Sequence, residues 1–260
     1  MTEDVGVLTA EAASLPRAKP RRSSYFVALA ILLFATVLLG FGRTFFARAL
    51  FDVPPLPWYG YAHGAILTAW FALLVAQVKL IGSGRAHLHR RLGAAGAFVA
   101  AAVVAISLVM VLGLPARMKA GMFFGEVPFD ATVARIIVCS DLAALAVFAL
   151  YVAIALAYRR RSAVHKRLMV LASIVIVGPA SARLGLMVAA HTTLPSWSQG
   201  AIQGVFFLGL PLTLVVYDLR TEGRVLRTTI AGVMGVLAST IVGAALALSP
   251  VGAALMAALE

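Results

Sequence analysis

The chain has 260 residues, of which 62% are apolar and only 12% charged, with a mean hydropathy of +0.98. Soluble domains average roughly 25% charged residues, so a water-soluble globule, a soluble enzyme and a disordered regulator are excluded. The net charge of +12 does not signal nucleic acid, because the basic residues fall in short clusters between apolar runs, the pattern by which membrane topology is written.

Residues 1–24 (MTEDVGVLTAEAASLPRAKPRRSS) are polar and lack periodicity, which predicts a disordered cytoplasmic tail. The basic stretch 17–22 resembles the start of a signal peptide, but the apolar run behind it exceeds the roughly 7–15 residues of a signal core. An uncleaved signal anchor is the expectation. A spanning helix needs about 20 apolar residues, and seven segments qualify: 25–42, 61–81, 93–114, 134–158, 168–190, 201–217 and 230–248. Unpaired backbone is not tolerated in lipid, so the predicted fold is all-α: a polytopic membrane bundle of seven transmembrane helices over 25–248, with a short C-terminal tail at 249–260.

Orientation follows from the Lys and Arg distribution. One side holds Arg17, Lys19, Arg21, Arg22, Lys79, Arg85, Arg90, Arg91, Arg159, Arg160, Arg161, Lys166, Arg167, Arg220, Arg224 and Arg227; the other holds only Arg43, Arg48, Arg117, Lys119 and Arg135. The expectation is an N-inside, C-outside protein of the bacterial inner membrane. The outer stretch DVPPLPWYGY supplies Trp58, Tyr59 and Tyr61 as an aromatic belt. Small residues recur every fourth position at Gly93, Ala97 and Ala101 and at Ser239, Gly243 and Ala247. Such faces allow close helix approach within a bundle or across a homo-oligomer. Cys139, the single cysteine, is expected as a packed core residue.

Two basic turns resemble one another. RAHLHRRL (85–92) and RSAVHKRL (161–168) share Arg, His, Arg and Leu in register, as parallel repeats of spans two/three and four/five would. They place His89 and His165 at equivalent positions on the inner face. Neutral imidazole is a good axial ligand for haem iron, so the pair is a candidate site for haem b; adding His87 makes a three-histidine metal site of His87, His89 and His165. The competing reading is that these histidines face headgroups and water. His63 and His191 lie near the outer surface. His63 is too far along its helix from His89 to share a ligand with it.

The outer half carries a second signal. Asp141 and Arg183 are each about seven residues inside the outer ends of spans four and five, at similar depth by helical rise. Charges within a membrane are costly and mark cavities or paired sites. Arg183, Asp141 and His63 therefore form a candidate substrate-binding pocket, with a structural ion pair as the alternative. Gln77 is expected as a helix–helix hydrogen bond, and Pro179 as a point of weakness in span five.

The stretches HGAILTAWFALLVAQ (63–77), HLHRRLG (87–93) and HKRLM (165–169) resemble an uncharacterised family of bacterial multi-spanning membrane proteins. A weaker similarity runs to haem A synthase and to transmembrane b-type di-haem cytochromes. That resemblance implies His89 and His165 as haem ligands, with His63 and His191 as an outer pair. In those cytochromes the ligands lie within helices, whereas His89, His165 and His191 are expected at or beyond helix ends here. Three functions stay open: a haem-binding redox or haem-handling protein with a membrane redox partner, an anion-binding or transport protein, and a non-catalytic assembly factor. No nucleotide-binding glycine loop, HExxH or G-x-S-x-G motif is present.

Overall fold

A computed structural model describes residues 22–122, 129–195 and 197–259. Among them every regular element is a helix. In chain order these are α1 (Arg22–Gly40), a π-helical turn (Gly42–Phe46), a short 3-10 turn (Arg48–Leu50), α2 (Trp58–Gly82), α3 (Ala86–Leu112), α4 (Leu114–Lys119), α5 (Ala131–Ala157), α6 (Ser162–Val175), α7 (Gly178–His191), α8 (Trp197–Gly204), a second π-helical turn (Val205–Gly209), α9 (Leu210–Glu222), α10 (Arg227–Leu248) and α11 (Pro250–Leu259). The long elements run back and forth between an end that carries the arginine-rich turns, the basic end, and the opposite, far end. Among the described residues five helical segments, the stretch Trp197–Glu222 being one, are long and apolar enough to cross a membrane, or six if the bent pair α6/α7 counts as one span; the apolar part of α1, Ser24–Gly40, is shorter. Phe98, Leu150, Leu208, Met234 and Ile241 all project from the bundle surface. An apolar belt of that extent is not tolerated in water. The chain is a multi-pass membrane protein.

Several boundaries differ from the sequence expectation. α3 and α6 begin at Ala86 and Ser162, so the HLHRRL and HKRL stretches are the first turns of helices and not the loops before them. Arg and Lys are good helix formers and carry their charges outward on long stems, so a basic segment at the membrane edge continues its helix. His89 and His165 thus lie inside helices. Residues 250–259, expected as a tail, form α11. The expected tail at the N-terminus lies outside the described residues except for 22–24, which open α1.

The segment expected as span five is bent. α6 and α7 meet at a 47° bend just before Gly178 and Pro179, because proline lacks the N–H a continuous helix needs and its ring collides with the carbonyl four residues back. The second π-helical turn has a similar cause in Pro211, near the start of α9. The two irregularities interlock: the ring of Phe207 occupies the space beside Gly178, 2.8 Å from where a Cβ there would stand.

The core forms where helices approach closely. α10 lies along α5, with Ser239, Gly243 and Ala247 buried and Gly243 against the backbone of Ser140. This small-residue face is therefore a seam inside the bundle. Tyr151 of α5 donates to the Gly232 carbonyl at 2.7 Å. Trp70 of α2 donates from Nε1 to Ser173 Oγ at 3.2 Å and meets Phe148 edge-to-face at 5.1 Å. Cys139 is buried and free.

Candidate functional site

The basic end brings together two histidines from spans that are far apart in sequence. The rings of His89 on α3 and His165 on α6 stand 6.2 Å apart, centre to centre, with their planes at 86°. Each is held by its other nitrogen. His165 Nδ1 lies 2.9 Å from the carbonyl of Ala155; a carbonyl only accepts, so Nδ1 donates and Nε2 is the nitrogen left to the other side of the ring. His89 is held by Gln77 of α2. With its amide oriented to satisfy the neighbouring backbone, Gln77 accepts from Gly93 N–H at 3.1 Å and donates to His89 Nδ1 at 2.6 Å. Gln77 is thus the helix–helix hydrogen bond its sequence position suggests, and it also orients an imidazole. His87 is exposed. Among the described residues, no group of three or more His, Cys, Asp or Glu side chains assembles as a metal cage.

Beside the histidines is a buried ionic network that the positive-inside pattern concealed. Arg167 and Asp218 are both fully buried. Arg167 donates from Nε to Asp218 Oδ1 at 2.9 Å, with Nη2 on the same oxygen, and from Nη1 to the Ala163 carbonyl at 2.9 Å. The other oxygen of Asp218 accepts from Leu226 N–H at 3.1 Å and from the Thr229 hydroxyl. Every acceptor direction of the carboxylate is used, and α6, α9 and α10 are tied at one point. Neighbouring Lys166 lies over the rings of Phe26 and Tyr217, at 5.0 and 5.4 Å. In sequence Arg167 is one of many arginines on the basic side; the available signal was Asp218, the one carboxylate embedded in LPLTLVVYDLR.

The far end gathers the other predicted residues. His63 of α2, Asp141 of α5 and Arg183 of α7 share one electrostatic neighbourhood: Arg183 acts on both Asp141 and His63. Arg183 packs its guanidinium 4.2 Å from the ring centre of Phe41 and donates to the Pro179 carbonyl, one turn back on α7, at 3.3 Å. A fourth member was missed. Arg117 of α4, counted from sequence as an outer-loop charge, is only 8% exposed and acts on both His63 and Arg183. Its Nη2 donates to the Met110 carbonyl at 2.6 Å, capping the C-terminal end of α3, where a cation is favoured. The signal for it was Leu114-Pro115, a helix-start pair that folds this segment back over the bundle. His191 stands apart, exposed at the end of α7 with Nδ1 on the Met187 carbonyl at 2.9 Å. Tyr61 is exposed beneath the guanidinium of Arg48 at 5.5 Å.

The two ends differ chemically. The basic end sets two imidazoles beside a buried ion pair, and the far end sets Arg183 near Asp141 and, with Arg117, near His63. Comparison with family models, with curated proteins and with solved structures finds no match for this chain, so its function is argued from these residues alone.

Proposed function

We propose that this chain is a seven-span protein of the bacterial inner membrane, its basic end cytoplasmic, that binds a b-type haem between His89 and His165 and serves in membrane redox chemistry or haem handling. In this topology α1 is the first span: its 19 residues cover about 28 Å at helical rise, close to the roughly 30 Å of a hydrocarbon core.

The observation that carries the haem reading is the spacing and setting of the two imidazoles. Imidazole nitrogens would hold a haem iron, and the two rings, 6.2 Å apart centre to centre, are close enough for one group to engage both. The carbonyl of Ala155 supports it further, since a ligating histidine is commonly oriented by a backbone acceptor on its other nitrogen. His89 requires one adjustment. His89 would engage the haem through Nε2, and its Nδ1, which faces Gln77, would need a different partner arrangement when bound. α3 packs on α2 and α5 and not along α6, which leaves the two ring-bearing turns as the approach between these helices. The likeness of HLHRRLG and HKRLM to transmembrane b-type cytochromes points the same way. When bound, the haem would supply one-electron chemistry; this chain's residues orient the two imidazoles.

The test is the absorption spectrum of the purified full chain from haem-replete cells. A Soret band and a reduced-minus-oxidised α-band are expected, with both lost in His165→Ala and His89→Ala and retained in His87→Ala. A folded, colourless wild-type protein overturns the proposal.

A further inference from the structure

The turn that joins α2 to α3 places two cations beside an apolar groove. α2 ends in VKLIG, and Gly84 follows it with a left-handed φ of 76°, a conformation that glycine adopts without steric cost. With the chain turned there, Gly84 N–H donates to the Ile81 carbonyl at 3.1 Å and Arg85 N–H to the Leu80 carbonyl at 2.8 Å, the paired bonds that close a helix at a glycine. Arg85 is thereby held against the last turn of α2, which carries Lys79. Lys79 and Arg85 are both exposed, whereas Val27 of α1 and Ala76 and Leu80 of α2 are half-buried.

These five residues, with Gly82 and Ser83, line one open cavity of about 600 Å³ between α1 and the end of α2. Its wall is apolar and its rim cationic, and none of the described lining residues is acidic. The Ser83 hydroxyl is turned onto the Leu80 carbonyl at 3.2 Å, so the two cations are the groups that meet a ligand's charge. The groove opens where an apolar helix reaches its first charges, which in a membrane protein is the level of the lipid headgroups. A soluble phosphate would meet the rim and gain nothing from Val27, Ala76 and Leu80. A lipid meets both surfaces.

We propose that this groove binds an anionic phospholipid, its headgroup phosphate at the rim formed by Lys79 and Arg85 and the first part of an acyl chain on Val27, Ala76 and Leu80. Basic pockets beside membrane-spanning helices take anionic headgroups, a guanidinium matches phosphate at two points, and each methylene laid on an apolar wall adds affinity. The site uses neither imidazole of the haem reading and goes beyond it.

The full chain in neutral detergent is titrated with phosphatidylglycerol or with phosphatidylcholine of the same acyl chains, and bound lipid is counted by native mass spectrometry. A basic residue near an anionic lipid surface is worth about fivefold in binding, so removing two loses about 25-fold. The expected result is saturable binding of phosphatidylglycerol at least fivefold stronger than that of phosphatidylcholine. Lys79→Gln/Arg85→Gln should weaken it at least tenfold, and Ala76→Phe, which fills the groove at unchanged charge, at least fivefold. Arg224→Gln, which removes an exposed charge outside the groove, should bind as wild type. Equal binding of the two lipids, wild-type affinity in the double variant or in folded Ala76→Phe, an equal loss in Arg224→Gln, or displacement of phosphatidylglycerol by equimolar inorganic phosphate overturns the proposal. Where Ala76→Phe does not fold, the double variant measured against Arg224→Gln decides.

Discussion

Asp218→Ala provides the most direct test of how the helices of the basic end are held together. The substitution removes a carboxylate that accepts from Arg167 Nε and Nη2, from Leu226 N–H and from Thr229 Oγ1. The guanidinium that remains is fully buried. Removing one partner of a buried ion pair costs about 3–5 kcal/mol, because the other charge is left uncompensated. The stranded Leu226 N–H and Thr229 hydroxyl add about 1 kcal/mol each where water does not reach them. Glu222, with an oxygen 3.7 Å from Arg167 Nη2, offsets part of the loss, so the net is about 4 kcal/mol. At roughly 2–4 °C per kcal/mol for a chain of this order of size, the midpoint falls by about 8–16 °C. The assay is thermal unfolding of the detergent-solubilised protein, followed by the fluorescence of Trp70 and its fellow tryptophans. The same argument makes the double variant Arg167→Met/Asp218→Leu much milder than Asp218→Ala, since it leaves no buried charge behind. A fall below about 3 °C for Asp218→Ala, or a double variant as damaged as the single, would refute the claim that charge compensation holds α6, α9 and α10 in place.

Three further outcomes follow from the packing. Gly243→Val is expected to lower stability by more than the roughly 1–3 kcal/mol typical of overpacking, because even its Cβ would sit 2.6 Å from the Cα of Ser140; midpoints near wild type would contradict the α5/α10 seam. Gly178→Ala meets the Phe207 ring at 2.8 Å and is expected to destabilise, with Phe207→Ala restoring at least half of the loss in the double variant; additive losses would show that the two breaks do not interlock. Tyr151→Phe removes the bond to the Gly232 carbonyl and should cost about 1 kcal/mol, measured by the same thermal assay.

The helical membrane architecture was legible because it rests on one bulk property, the length of apolar runs between basic clusters. Where those runs end was less legible. The HLHRRL and HKRL stretches were expected to be loops because their charges break the apolar run, yet the backbone bond of His89 N–H to the Arg85 carbonyl at 3.2 Å is already helical: lipid limits where apolar surface stops, not where helix stops. Pro179 announced a weak point in span five, but the wedge that fills it is Phe207, whose position depends on a proline in another span. At the sites, types were easier to see than partners. His89, His165, Asp141 and Arg183 stood out as unusual residues for their depth, whereas the groups that orient or balance them, the Ala155 carbonyl, the Gln77 amide and Arg117, acquire their roles only when distant turns meet. Arg167 was hidden among the basic residues of its turn, since a topology signal and a buried ion pair use the same side chain.

The contrast between the two ends also bears on where ligand chemistry belongs. A network in which Asp218 has every acceptor direction taken rigidifies its surroundings and offers nothing further to a ligand. The two imidazoles beside it differ, because each uses one nitrogen for the protein and keeps the second for something else. The far half has the opposite character: Arg117 keeps one nitrogen buried without a partner among the described residues, and the helices are interrupted there by π-helical turns, a proline break and the short fold-back of α4. Irregular backbone at membrane depth persists where it lines a protein-enclosed site, and buried donors persist where something accepts from them. The irregular backbone thus gathers in the far half, while the basic end is the part of the bundle fixed by a buried ionic network.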